Sequence, residues 1–179
     1  MEATFLNEHL LPGQLGQFFV VLAFVSSLLA SIAYFFSAQN KDLTSSERWK
    51  RFGRISFLTH TFSTLGIFVT LFYIIFNHYF EYFYVWSHSG KALPFKYLLS
   101  CFWEGQQGSF LLWSIWHTVL GVIIMKQRGK WEAPVLSVVS LVQVILSSML
   151  LGLFLFGERI LSQVQAKKVL QFFETPSPG

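Results

Sequence analysis

The chain has 179 residues, of which 53% are hydrophobic and only 12% are charged, about half of the roughly 25% charge of an ordinary soluble domain, and this composition excludes a soluble enzyme. Its single cysteine excludes an internal disulfide, a Cys-x-x-Cys redox pair, covalent c-type haem attachment and a cysteine-rich zinc site. The net charge of +4 comes from basic residues beside apolar runs, where membrane topology explains them, so no nucleic-acid binding is expected.

Four apolar runs are long enough to cross a membrane as helices. About 20 helical residues span a hydrocarbon core of roughly 30 Å, and we place the spans at about 15–36, 55–76, 104–125 and 134–156. Only a helix satisfies its own backbone hydrogen bonds in lipid, since isolated strands leave theirs unpaired. The sequence therefore predicts an all-α, polytopic membrane helix bundle with four transmembrane helices, formed by residues 1–157.

The distribution of basic residues predicts the orientation of these spans. Two clusters lie between spans one and two and between spans three and four: Lys41, Arg48, Lys50, Arg51 and Arg54, then Lys126, Arg128 and Lys130. Because loops rich in Lys and Arg stay on the cytoplasmic side, we place the 37–54 and 126–133 loops there and the N-terminus and the 77–100 loop outside. The tail, 158–179, is predicted to lie outside as a short interfacial helix followed by disorder.

Two histidines, His60 and His117, fall within predicted spans. Counting from the cytoplasmic ends of adjacent antiparallel helices places them roughly 8 and 12 Å deep, so the two rings could meet as axial ligands of one haem iron. A second interpretation needs no cofactor, because hydroxyls share the face of His60 and can bond its ring: Ser56, Thr59, Ser63 and Thr64. The sequence shows no other catalytic constellation and no metal site.

The start of span three combines small residues with tryptophans. Gly105 and Ser109 are four residues apart, which predicts a strip where another helix approaches closely. Trp103 suits the aromatic belt at the membrane boundary, whereas Trp113 and Trp116 lie too deep for a belt. We therefore expect these two side chains to line an internal apolar surface.

The outer loop before span three is unusually aromatic. Tyr84, Trp86 and His88 alternate there, following Phe80 and Tyr82, and in an extended segment they would share one face. Such a face would suit a planar apolar ligand or a docking surface. It would equally suit a loop that lies in the membrane interface.

Three motifs follow one another from the outer loop into span three. They read Tyr84-Val85-Trp86-Ser87-His88-Ser89, then Leu93-Pro94-Phe95-Lys96-Tyr97, then a helix start from Trp103 through Gln107, Gly108 and Ser109 to Trp113. In this order and spacing they resemble the N-terminal region of CcmF-type cytochrome c biogenesis proteins, within the CcmF/CcmC/CcsA haem-handling superfamily. Gln107 stands where that family usually has Glu.

The resemblance implies a function in cytochrome c maturation. CcmF-type proteins are membrane subunits of the cytochrome c haem lyase, so it implies haem as the cofactor and the bacterial inner membrane as the location. The implied partners are the haem chaperone CcmE, a CcmH-type protein and apocytochrome c.

The same comparison of motifs limits what we expect of this chain. The family's tryptophan-rich haem-handling segment and its outer His-Pro-Pro histidine do not occur in the sequence, and the segment after Gly157 departs from the family pattern. We therefore expect the N-terminal membrane portion of a CcmF-type subunit, and the sequence leaves open whether it acts as an enzyme. Two alternatives also stay open: a small membrane haem b electron carrier that uses His60 and His117, and a structural membrane subunit.

Overall fold

Four long helices make up most of the structure. The computed structural model describes residues 10–79, 82, 85, 97, 100–102 and 105–152, with 106 and 107 described by their backbone alone. The helices are α1 (Leu10–Gln39), α2 (Leu43–Phe76), α3 (Gln106–Gln127) and α4 (Glu132–Gly152). Each is long and apolar enough to cross a membrane, and no strand occurs in the described ranges. The predicted all-α bundle is confirmed, and the protein is a multi-pass membrane protein.

Helix α2 begins well before the predicted start of its span. The carboxylate of Asp42 caps it by accepting hydrogen bonds from the backbone N–H groups of Thr44 and Ser45, at 3.3 and 3.0 Å. The Ser45 hydroxyl and these N–H groups hold the pKa of Asp42 below its usual range. Residues 43–54 are therefore helical rather than part of a loop, and the connection from α1 is reduced to residues 40–42.

Helices α1 and α2 form a closely packed antiparallel pair. A Cβ on Gly66 would lie 2.8 Å from the ring of Phe19, and one on Gly53 would lie 3.1 Å from the ring of Tyr34. At the end of the pair, the hydroxyls of Ser37 and Ser46 each donate to the other's carbonyl, at 2.9 and 2.8 Å. Glycines at these positions let aromatic rings lie directly against the backbone of α2.

Helix α3 packs against α2 by the same means. An added Cβ on Gly121 would collide with the ring of Phe57. Phe57 also belongs to a buried cluster with Tyr34 of α1, Met125 of α3 and Leu136 of α4. This cluster lies near the end of the bundle where α1 and α3 end and α2 and α4 begin, which we call the basic end because both predicted basic clusters lie there.

The surface of the bundle is apolar and its interior carries many small polar side chains. Large outward side chains are mostly exposed, among them Phe62 at 65%, Val69 at 63% and Val138 at 62%. The buried polar side chains within the spans are Ser26, Ser27, Ser56, His60, Ser63, Thr64, Ser114, Thr118, Ser140, Gln143 and Ser147. This distribution suits a protein solvated by lipid, in which polar groups find their partners inside the bundle.

Candidate functional site

The ring of His60 lies at the centre of a buried polar network. It is 0% exposed, and its Nδ1 lies 2.9 Å from the carbonyl oxygen of Ala23 on α1. Because a carbonyl oxygen only accepts, Nδ1 carries the hydrogen, and Nε2 is the acceptor of the neutral ring. Nε2 lies 3.4 Å from the hydroxyl of Thr64, one turn further along α2.

The hydroxyls that the sequence placed beside His60 are only partly engaged with it. Thr64 lies close to the ring, but its hydroxyl donates to the backbone carbonyl of His60 at 3.0 Å. Thr59 and Ser63 likewise donate to the carbonyls of Ile55 and Thr59. All three hydroxyls thus bond their own helix, which is the usual alternative for Ser and Thr in a helix interior. The predicted packing of His60 among polar groups holds, with partners that the local sequence did not reveal.

The polar residue of α4 beside the His60 ring is Gln143, whose side chain interacts electrostatically with that ring. Its amide Nε2 also donates to the carbonyl of Ser114 on α3 at 2.8 Å, and the Ser114 hydroxyl donates to its Oε1 at 2.7 Å. Gln143 is 0% exposed and Ser114 is 1% exposed. Polar contacts therefore link all four helices, with hydrogen bonds from His60 to Ala23 and between Gln143 and Ser114, and with the Gln143 side chain beside the His60 ring.

Gln143 and Ser114 were not predicted from the sequence as members of this network. One signal was available: Gln143 is the one carboxamide in the fourth apolar run, and a polar group at that depth requires an internal partner. Its partner could not be named, because no spacing within one helix indicates which residue of another helix it meets.

His117 occupies a different setting from His60. It is half-buried on α3, and its Nδ1 lies 2.8 Å from the carbonyl oxygen of Trp113, one turn back on the same helix. Trp113 and Trp116 are 57% and 61% exposed. The prediction that these tryptophans line an internal surface is wrong, because Ser114 faces Gln143 and so turns them outward.

The two histidines do not fit a shared haem in this arrangement. Both nitrogens of His60 face hydrogen-bonding groups on α1, α2 and α4, and its ring is enclosed. His117 bonds to its own helix. Iron ligation at His60 would require the ring to give up its contacts with Thr64 and Gln143, so haem binding by this pair stays a prediction and no chemistry is derived from it.

The motif residues at the start of α3 are described in part. Gly105 precedes the helix, accepts a hydrogen bond from the N–H of Ser109 at 3.2 Å and is buried, as is Gly108. Their burial agrees with the predicted close packing. Trp103 and the side chain of Gln107 lie outside the described residues.

The aromatic outer loop also lies largely outside the described residues, including Tyr84, Trp86 and His88. Val85, between the first two, is helical and 0% exposed, so the condition under which the aromatic side chains would share one face, an extended segment, is not met at that residue. The hydroxyl of Tyr82 accepts a hydrogen bond from the N–H of Gly13 at 3.0 Å, which ties the loop to the start of α1.

A second polar connection lies at the basic end, between α2 and α4. The guanidinium of Arg54 donates from Nε and Nη2 to the two carboxylate oxygens of Glu132, at 2.6 and 2.7 Å. The Glu132 side chain is 1% exposed and that of Arg54 is 29% exposed. Glu132 is the first residue of α4, where the helix dipole also favours a negative charge.

The chain is similar in sequence and in fold to proteins of cytochrome c biogenesis. No family model matches the chain. The cytochrome c-type biogenesis protein CcmF of Pseudomonas fluorescens is 27% identical over 140 residues, which cover 73% of this chain and 20% of that protein. A solved structure of the cytochrome c heme lyase CcmF aligns with a TM-score of 0.70 and 24% identity, over 83% of this chain and 25% of that chain.

The comparisons confirm the resemblance that the motifs indicated and show that the CcmF structure contains the same fold. The chain spans a fifth to a quarter of the length of these relatives.

Proposed function

We propose that this chain acts in cytochrome c maturation as a four-helix membrane portion of a CcmF-type haem lyase subunit. The observation that carries the proposal is the similarity to the biogenesis protein CcmF over 73% of the chain. The shared fold, with a TM-score of 0.70, supports it independently of the motifs. The haem b electron carrier lacks comparable support, since Nδ1 of His60 is hydrogen bonded to the carbonyl of Ala23 and the ring is fully buried.

The physical role of this portion in the proposal is to hold a rigid membrane frame. Lipid tails give apolar helices no hydrophobic incentive to associate, so close packing and interhelical hydrogen bonds must keep them together. The His60–Gln143–Ser114 network and the Arg54–Glu132 pair join helices at two levels of the bundle. A frame of this kind would fix the position of haem-handling segments elsewhere in the subunit.

The proposed location is the bacterial inner membrane with the basic end in the cytoplasm. The antiparallel helices bring Arg48, Arg51, Lys126 and Arg128 to one end, as a positive-inside orientation requires. In this orientation the start of α3 faces the compartment where c-type cytochromes mature. Haem and apocytochrome c are the proposed partners of the complete subunit, with a CcmE-type chaperone and a CcmH-type protein as further ones.

The experiment that tests the proposal places this chain in the corresponding segment of a full-length CcmF, in cells lacking their own. Covalent haem staining of c-type cytochromes measures maturation, and immunoblotting of membranes measures protein level. We expect maturation well above that of cells with an empty vector. A chimera present at the normal level that matures no cytochrome would contradict the proposal and favour an unrelated structural subunit.

A further inference from the structure

A pocket of about 330 Å³ lies between α2 and α3 at the basic end. Arg54, Leu58, Val122, Met125, Lys126 and Arg128 line it. Helix α3 ends at Gln127, and Arg128 turns the chain in a left-handed conformation with φ of 50°. The pocket is thus bounded by two helices and by the turn that leaves the second one.

One wall of the pocket is positively charged. Arg54 uses Nε and Nη2 for Glu132, which balances its charge and leaves Nη1 outside that pair. Lys126 and Arg128 are exposed, and within the described part of the chain no carboxylate pairs with either. Two uncompensated positive charges therefore border this pocket.

The other wall is apolar and continues onto the lipid-facing surface. Leu58 is 49% exposed, and Ile55 and Phe62, on the same helix, are 57% and 65% exposed. Val122 is half-buried and Met125 is 8% exposed, so the apolar wall becomes more buried toward α3. A soluble anion would use only the charged wall, whereas a molecule with an anionic head and a hydrocarbon chain would use both.

A neighbouring pocket of about 490 Å³, between the ends of α1 and α2 and the start of α4, differs in its charges. Its Lys50 pairs with Glu47 at 2.5 Å, and its Lys130 lies over the ring of Trp131 at 5.9 Å. Both of its cations thus have partners within the chain. The smaller pocket is the one whose cations are available to a ligand.

We propose that the smaller pocket binds an anionic phospholipid. Lys126 and Arg128 contact the phosphodiester head group, and one acyl chain lies along Leu58 and Val122. Lysine and arginine at the membrane surface favour anionic over zwitterionic lipids, because the ammonium of a choline head group would be repelled by them. Arg128 adds planar N–H donors that match phosphate oxygens. The inference goes beyond the proposed function and does not depend on it.

The test measures binding of fluorescent phosphatidylglycerol to the full chain in neutral detergent micelles, with fluorescent phosphatidylcholine as the comparison lipid. We expect saturable binding of phosphatidylglycerol and at least tenfold weaker binding of phosphatidylcholine. The double substitution Lys126→Gln with Arg128→Asn should weaken phosphatidylglycerol binding about 30-fold, because each positive charge that is removed lowers the affinity about fivefold. Asparagine is chosen at position 128 because it tolerates the left-handed conformation.

The matched control removes two positive charges from the same end but outside the pocket, by Lys41→Gln with Arg51→Gln. We expect less than a twofold change. An equal loss of phosphatidylglycerol binding in both double variants would mean that the lipid is attracted to the whole basic surface. That result would overturn the proposed lipid site in the pocket. Circular dichroism checks that each variant keeps its helices, which we expect because all four side chains are exposed.

Two further measurements distinguish a lipid from a soluble phosphate ester. Leu58→Asn should weaken phosphatidylglycerol binding severalfold while leaving the charged wall intact. Glycerol 3-phosphate at millimolar concentration should not displace the lipid. Full displacement by glycerol 3-phosphate, together with unchanged binding by Leu58→Asn, would show a phosphate site without a lipid preference and would overturn the proposal.

Discussion

Gln143 of α4 and Ser114 of α3 exchange two hydrogen bonds, at 2.8 and 2.7 Å, in the interior of the bundle. Each residue acts once as donor and once as acceptor, and the Gln143 side chain also lies beside His60 of α2. This pair sets the rotation of α3 about its axis, because Ser114 must face α4. The residues on either side of Ser114 then take their positions from that contact.

Gln143→Leu should destabilise the bundle by about 1–2 kcal/mol, near the upper range for interhelical hydrogen bonds in membranes. The substitution keeps the side-chain size but leaves the Ser114 hydroxyl without its acceptor and the Ser114 carbonyl without its side-chain donor. Unfolding in micelles by increasing amounts of SDS measures the change. Ser148→Ala is the control: this exposed hydroxyl bonds only to the carbonyl of Ile145 in its own helix, and its removal should have little effect. Equal stability of the two variants would contradict the network's role.

His60→Leu should insert normally and lower the stability of the bundle, since the carbonyl of Ala23 loses its donor. His60→Asn should recover part of the loss, because its amide N–H can reach the same carbonyl. Both variants are measured for membrane level and for cytochrome c maturation in the CcmF chimera. We expect maturation to fall only in proportion to protein level. Maturation lost at a normal level in both variants would instead assign His60 a direct function with haem.

Glu132→Ala should destabilise the chain by about 2–4 kcal/mol, somewhat less than the loss of a fully buried ion pair, because Arg54 is 29% exposed and can turn toward water. The double variant Arg54→Gln with Glu132→Gln should be more stable than Glu132→Ala, since neither uncompensated charge nor cavity remains. SDS unfolding of the three chains and the unsubstituted one measures this difference. A double variant that is the least stable of the set would mean that the charges themselves contribute most.

Gly108→Leu should disrupt assembly before it affects insertion, because Gly108 is buried at the start of α3, where a large side chain would separate packed helices. Gln107→Glu adds no bulk and restores the residue usual in CcmF-type proteins, so it should be accepted. Both substitutions are compared in the chimera by membrane level and covalent haem staining. Normal maturation with Gly108→Leu and none with Gln107→Glu would show that the amide, and not close packing, matters here.

The orientation can be checked with introduced cysteines in a Cys101→Ser background. A cysteine at Ser89 should react with a membrane-impermeant maleimide in spheroplasts, whereas one at Lys41 should react only after lysis. The expected difference follows from the basic residues gathered at one end of the bundle. The reverse labelling pattern would invert the topology.

The sequence was sufficient to predict the helices, because membrane thickness requires long apolar runs and these are visible without any neighbours. It was insufficient to predict which face of each helix points into the bundle. Trp113 was expected to point inward, yet the contact between Ser114 and Gln143, 29 residues apart, turns it outward. The early start of α2 could have been predicted from Asp42 followed by Thr44 and Ser45, which is a typical helix N-terminus. The basic residues that follow it led instead to the prediction of a loop.

The three-residue connection between α1 and α2 has a consequence for biosynthesis. The contacts between α1 and α2, from Phe19 with Gly66 to Ser37 with Ser46, need only residues 10–76, so the pair can assemble while the later helices are still being translated. At that stage the His60 ring can bond Ala23, whereas Gln143 of α4 has yet to arrive beside it. Docking of α4 then brings Gln143 beside a ring that Ala23 already holds in place, so His60 is a point where the later helices meet the hairpin.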